Sequence, residues 1–424
     1  MSSIVALLLL MCWLPFIKLE YCWATRVLCY LLEMNGAFFI KFAQLYTSIY
    51  GGPLTGRVYN DIYEHKWDVT SAAYYKGFGK KIDDQYVMNN GGRPIASGSI
   101  GQVYDASDVA TGERVAIKVR HPNVILSQTQ MSLIKYTLKS MLYISGVTLI
   151  DVDEFLKTYS DQLDMRHEVA NMQRFAENMK RVPFVNIPTP VKWTDNIIVM
   201  TYHEGQGINE LEGEPYVAKK VALMLYVTIR AMILEHGFLH CDLHKGNWSY
   251  NVDQKCINIY DTGFAINIDK ELIKELFQQM NNGNIEAALC LFMKKMLVKR
   301  LEQCVIKKWI NNHPQLVSRL TVNCQARNIL KAFSRCADDN KTAIKTDMLH
   351  LLISNMSIER HLSQNDMVSQ SQHKTLDIMK SEMSICKQYD VFHGYHAFLQ
   401  SCINDVVVEE RIDTDIVAEF YKST

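Results

Sequence analysis

The octet His240-Cys241-Asp242-Leu243-His244-Lys245-Gly246-Asn247 constrains the fold more than any other stretch of this chain. It concentrates His240, Asp242, His244 and Asn247 at one point, so the fold must supply partners for all of them. Taken alone, the octet fits three arrangements. His and Asp are common metal ligands. A polar loop after a long apolar helix would look the same. The third arrangement is a phosphoryl-transfer loop of the form HxDxxxxN, in which the Asp takes the nucleophile's proton and the Asn holds a metal ion. The metal arrangement lacks company: the chain has no HExxH and no Cys/His set with zinc spacing.

The phosphoryl-transfer arrangement makes further demands, and each can be checked against the sequence. A second metal-binding Asp should follow a strand as D-x-G. Asp261 and Gly263 follow the alternating segment "KCINIY". A strand Lys should reach the phosphates, and "VAIK" ends at Lys118 on the third of the predicted strands. A Gly-containing turn between earlier strands should cover the phosphates. "ASGSIGQVY" supplies Ala96, Ser97, Gly98 and Ser99. A helix Glu should pair with the Lys, and Glu168 lies in the helix-patterned "LDMRHEVANMQRF". Each part alone has an ordinary explanation, because most strand Lys and helix Glu residues face water and most D-x-G triplets are turns. All five in this order, each on the expected element, favour a site for ATP and Mg²⁺, since magnesium prefers oxygen ligands and bridges nucleotide phosphates. In that reading His244 is not needed as a ligand.

The remainder of the chain accommodates such a site. Its 424 residues suffice for one two-lobed domain with extensions, and 48% apolar against 21% charged residues is a globular composition. Lys plus Arg equals Asp plus Glu, 45 each, which gives no support for nucleic acid as a partner. Eleven dispersed cysteines without a CxxC pair suggest reduced thiols on the reducing side of a compartment. Residues 93–119 read as short strands around an "ATG" hairpin turn, and 151–180 as helix. Strands return through "NIIVM", a long core helix spans Tyr216 to Gly237, and helices dominate after 270. The fold class is α+β: a small β-containing lobe followed by a larger helical one. The apolar run Ile4–Ile17 is shorter than the ~20 residues of a spanning helix. A membrane-inserted or interfacial anchor, a helix packed on the domain and a cleaved signal all stay open for it.

Four stretches, "PIASGSIGQVYDA", "VAIKVRHPNV", "LDMRHEVANMQRF" and "HCDLHKGNW", together resemble the UbiB/ADCK family of atypical kinase-like proteins. Upstream, "NGAFFIKFAQLYTS" is similar to that family's KxGQ signature and supplies Lys41 and Gln44, while "YHAFLQSCINDVVVEERID" resembles its C-terminal helices. The resemblance runs over roughly residues 33–420. It implies a protein-kinase-like two-lobed fold with a helical N-terminal extension that occludes the protein-substrate groove. It divides the chain into an apolar segment 1–32, an extension 33–92, an N-lobe 93–203 with inserted helices, and a helical C-lobe 204–424. By position it makes Lys118 the nucleotide-binding Lys, Glu168 its partner and Asp242 the catalytic Asp. Asn247 and Asp261 become metal ligands, and Met200 to His203, Tyr202 among them, the adenine-contacting hinge.

Several positions depart from the family pattern. Ala43 replaces the Gly of KxGQ. Gln162-Leu163-Asp164 stands where E-x-D is usual, so one acid is missing beside Asp164. Ala96-Ser97-Gly98-Ser99 replaces an alanine-rich loop, Thr262 removes the apolar plug of D-F-G, and Leu243 and Lys245 replace prolines. The resemblance implies an ATP-dependent kinase or ATPase in ubiquinone or lipid metabolism. Its partners would be a lipid or quinone-related substrate, a membrane surface and proteins of a biosynthetic complex, with the mitochondrial inner membrane as one location. A nucleotide-binding pseudokinase scaffold without turnover is the alternative. Ordinary Ser/Thr kinase activity on proteins is disfavoured by the KxGQ-like extension.

Overall fold

A computed structural model describes residue 30 and residues 37–50, 66–122, 124–144, 150–207, 210–211, 215–322, 326–364 and 372–407. The apolar run 4–17 lies outside these, and among the described residues no helix is long and apolar enough to cross a membrane. In chain order the first elements are α1 (Ala37–Tyr50), α2 (Trp67–Phe78), β1 (Tyr86–Met88), β2 (Ala96–Ser97), β3 (Gly101–Asp108) and β4 (Arg114–Arg120). Next come α3 (Gln128–Ile144), α4 (Val152–Gln162), α5 (Met165–Met179), β5 (Val185–Asn186), β6 (Pro190–Trp193) and β7 (Ile197–Thr201). Then follow α6 (Pro215–Ala231), β8 (Phe238–His240), β9 (Trp248–Asn251), β10 (Cys256–Ile259) and β11 (Ala265–Asn267). The chain continues with α7 (Lys270–Asn281), α8 (Ile285–Met296), α9 (Gln303–Asn312), α10 (Pro314–Val322), α11 (Ala326–Asp339), α12 (Thr346–Gln364), α13 (Gln372–Tyr389) and α14 (His393–Val407).

The chain divides into two compact units. The first comprises residues 1–210, 241–265 and 337–354, and the second 211–240, 266–336 and 355–424. The first is built on an antiparallel sheet ordered β1-β3-β4-β7-β6, with β2 on β3. β1 lies ahead of residue 93, inside a stretch read from sequence as helical, so Lys118 sits on the fourth strand and not the third. Tyr104, Ile117, Val119, Ile197 and Val199 pack under Tyr74 of α2 in one buried cluster. Central strands buried on both faces carry few polar residues. The exceptions here are buried and partnered. Asp105 takes both Arg114 Nε (2.9 Å) and Nη2 (2.7 Å), and Lys118 is treated below. A smaller sheet, β5-β10-β9, has β5 parallel to β10.

Two helices of this unit carry site residues, and their sequences set them. Asp151 caps α4 by accepting from Asp153 N and Glu154 N, and Asp164 caps α5 by accepting from Arg166 N. In α5 the buried positions are Met165, Glu168, Val169, Met172, Phe175 and Met179, the repeat of one helical face. Glu168 therefore falls on the apolar stripe, where a carboxylate must find a cation.

The second unit is helical. α6 ends in a π-type turn, Met232–His236, which Gly237 closes at φ 60. Within it Arg230 lies 4.0 Å from Glu382 and stacks 4.1 Å above the ring of Phe277. The Glu235 carboxylate accepts from Tyr395 N at 3.1 Å.

Candidate active site

Lys118 is the centre of the site. Its Nζ donates to Glu168 Oε1 at 2.8 Å and to Asp261 Oδ1 at 2.7 Å. Burial opposes its charge, but the carboxylates of Asp261 and Glu168 outweigh burial and hold its pKa above the ordinary value. Burial raises Glu168, with Lys118 pulling the other way. Asp261 is pushed up by burial and pulled down further by Lys118 and Lys41, ending below its usual range. Its side chain stays 42% exposed, against 4% for Glu168, so the accessible carboxylate is the one on the D-x-G turn.

The two loops of the site are tied together at both ends. Cys241 N donates to Phe264 O at 2.9 Å, and Tyr260 N donates to Asn247 O at 2.8 Å. Asn247 donates its Nδ2 to Asp242 O at 2.7 Å, which leaves its carboxamide oxygen as the group a cation would take. His244 Nδ1 accepts from Gly246 N at 3.1 Å and so serves the loop itself. Thr262 is fully buried; its hydroxyl donates to Glu168 O (3.1 Å) while its carbonyl accepts from Asn171 (2.9 Å). The expected loss of an apolar plug is thus made good by hydrogen bonds that pin the turn to α5.

The KxGQ-like helix α1 reaches the same place. Lys41 Nζ pairs with Asp242 Oδ2 at 2.7 Å, their side chains 18% and 24% exposed. Lys41, Gln44, Gln162 and Asp242 line one cavity, together with Cys241, Phe264 and His350. Asp164 is engaged elsewhere, since besides capping α5 it binds the Arg166 guanidinium through both oxygens. Met200 is buried on β7, opposite Ala116 of β4, and Tyr202 lies beneath Arg114, whose guanidinium is 3.9 Å from the ring.

Ala96 and Ser97 form β2, and Gly98 N bonds Gly101 O at 2.8 Å to close the turn holding Ser99. A Cβ on Gly101 would lie 2.6 Å from Val119 O, so only glycine fits there, whereas at Gly98 the nearest atom is 3.6 Å away. His121 fixes the turn from β4's end: its backbone N donates to Ile100 O (2.8 Å), and its Nε2 lies 3.0 Å from Gly98 O. Sequence reasoning passed over His121, although its place directly after the Lys118 strand marked it. It also passed over His350, for which the sequence held no signal.

Among the described residues no cluster of three or more His, Cys, Asp or Glu could hold a metal alone. Magnesium does not require one, since one or two protein ligands plus phosphate oxygens suffice. Asp261 and the Asn247 carboxamide oxygen suit that demand. An antiparallel sheet carrying a Lys–Glu pair, with an HxDxxxxN loop bonded to a D-x-G turn, is the arrangement of a kinase-like fold.

A family model for the ABC1 atypical kinase-like domain matches residues 58–286, more than half of the 424-residue chain. The chain belongs to this family, the one its motifs resemble. It is 29% identical over 182 residues to AarF domain-containing protein kinase 1 of Xenopus tropicalis, covering 40% of this chain and 34% of that one. It is 33% identical over 166 residues to the Arabidopsis thaliana chloroplastic protein named Activity of BC1 complex kinase 1, covering 36% and 24%. An uncharacterized protein from Clostridium pasteurianum is 26% identical over 286 residues, covering 63% and 52%. The chain spans about half or less of the length of these relatives.

Proposed function

We propose that this chain binds Mg-ATP and transfers or hydrolyses its γ-phosphate, as an atypical kinase or ATPase working at a membrane in ubiquinone or lipid metabolism. The observation that carries the reading is Lys118 bonded at once to Glu168 and Asp261, the charge arrangement that kinases use to hold phosphates and metal. Lys118 would meet the α/β-phosphates, Asp261 and Asn247 the magnesium, and Asp242 the acceptor's proton. Ala96 to Ser99 would lie over the phosphates, and Met200 and Tyr202 near the base. The membrane and the ubiquinone or lipid context come from the family resemblance.

The pseudokinase scaffold has one observation in its favour. Lys41 occupies Asp242, so the residue that would take the proton is already neutralised by the chain's own helix. A scaffold would bind nucleotide without turning it over.

Thermal unfolding of the full chain with and without ATP and Mg²⁺ tests the site. Nucleotide at a hundredfold its Kd adds about 2.7 kcal/mol. The expected result is a magnesium-dependent shift that Asp261→Asn abolishes; no shift at millimolar nucleotide sinks the reading. ADP release in the presence of lipid vesicles separates enzyme from scaffold.

A further inference from the structure

We propose that the cavity beside Asp242 seats the phosphoryl acceptor, that it takes a neutral hydroxyl group, and that His350 is the residue holding that group. The inference rests on the nucleotide reading above and names the other substrate of the same site. The cavity lies wholly within the first unit, and its polar wall consists of Lys41, Gln44, Thr158, Gln162, Asp242 and His350.

Charge balance selects the ligand class. Lys41 and Asp242 already neutralise each other at 2.7 Å. Gln44, Thr158 and Gln162 are uncharged. Burial holds His350 neutral, its pKa lowered to about 4, with Asp242 opposing and Lys41 adding to the shift. A charged ligand would find no counter-charge here, and burying one without a partner is costly. A neutral hydroxyl finds donors and acceptors on every polar wall.

His350 is the second observation. It is 5% exposed, and its Nε2 has no hydrogen-bond partner among the described residues. The ring is fixed edge-on against Phe264, centroids 4.5 Å apart. Buried polar atoms without partners are rare in folded proteins, and each calls for an explanation such as a ligand or an ion. The size agrees. A volume of about 60 Å³ accepts roughly four water-sized groups at about 15 Å³ each. That is room for a hydroxyl-bearing group beside Asp242.

The chemistry balances without further reagents. The hydroxyl oxygen attacks the γ-phosphorus, and the bond from that phosphorus to the β–γ bridging oxygen breaks, its electron pair leaving on ADP. The hydroxyl proton passes to the Asp242 carboxylate. The product is a phosphate monoester. Water in the same seat gives inorganic phosphate.

Glycerol is the probe. The full chain is incubated with Mg-ATP and glycerol, and phosphorus NMR measures glycerol phosphate against inorganic phosphate. The wild type is expected to form glycerol phosphate. His350→Phe lowers its yield at least tenfold while the KM for ATP stays within twofold; His350→Gln, which keeps a polar group, retains at least a third. Thr158→Leu, filling the cavity from α4, gives the same loss as His350→Phe and decides the matter where that variant does not fold. Wild-type protein that binds Mg-ATP but forms no glycerol phosphate overturns the proposal, as do unchanged yields in His350→Phe and Thr158→Leu. Failure of wild type to bind Mg-ATP in the unfolding assay instead overturns the nucleotide reading, and the acceptor proposal with it.

Discussion

Two buried cations anchor the two units, and their surroundings differ in stoichiometry. Arg230 in the second unit faces one carboxylate, Glu382, with side chains 8% and 1% exposed. The pair is matched one to one and sealed. Lys118 in the first unit faces two carboxylates, Glu168 and Asp261, and the second is 42% exposed. That cluster carries a surplus negative charge on its open side. A pair with neither side chain exposed is closed to a ligand from solvent. An unbalanced, accessible one has reason to hold a cation, and magnesium is the cation that oxygen ligands and phosphates share. On the proposed reading the first unit's cluster is the site, while the second unit's pair belongs to a core.

Lys118→Met should have the largest effect. It leaves Glu168 buried beside Asp261 without a cation and should cost about 3–5 kcal/mol in urea unfolding. Arg230→Met should cost less, because it leaves one carboxylate without its cation and not two; equal losses would break the contrast. Next comes the pH response of the sealed pair. Burial raises Glu382 to about 7, with Arg230 opposing. The folded state therefore holds this proton more tightly than the unfolded chain does. Its contribution to stability is present below about 4.5 and is lost as pH rises towards 7, by roughly 3 kcal/mol across the window. Glu382→Gln should flatten that slope; an unaltered slope would assign it elsewhere. His350 works in the opposite sense: the unfolded chain takes up its proton first, so stability falls as pH drops from 6.5 towards 4.

Smaller effects probe how closely the backbone is fitted around the first cluster. Gly101→Ala drives a methyl into Val119 O, next to Lys118, and should cost about 1–3 kcal/mol. Gly98→Ala has room and should stay within about 0.5 kcal/mol. Similar losses at both would mean the turn adjusts freely. Thr262→Val removes the bond to Glu168 O and should cost about 1 kcal/mol. Its sharper readout is weakened magnesium dependence of the nucleotide shift, because Asp261 then loses its anchor to α5.

The sequence carried the motif residues well. Lys118, Glu168, Asp242, Asn247 and Asp261 each had an ordinary explanation alone, and it was their order along the chain that singled them out. Periodicity also placed β3 and β4, and read 151–180 as one helical stretch that the fold divides into α4 and α5. What stayed hidden depends on contacts between distant segments. Two-residue β5 carries no pattern that could assign it to β10 instead of the main sheet. His350 lies in a helical stretch with no motif, yet residues 337–354 join the first unit. The family likeness suggested that α1 covers the site, but only the fold identifies Asp242 as the partner of Lys41. Thr262 looked like a deletion of apolar packing because its hydrogen-bond partners, Glu168 O and Asn171, are far away in sequence.

Asp261 adopts φ 50, a left-handed conformation that costs a residue with a Cβ roughly 1–2 kcal/mol. Glycine would adopt it without strain, and Lys118 would still have Glu168. The strain is offset by the bond to Lys118, for which Asp261 is a larger electrostatic partner than Glu168. The carboxylate thus sits on a turn whose backbone favours glycine, and Asp261→Gly would exchange one stabilising contribution for another.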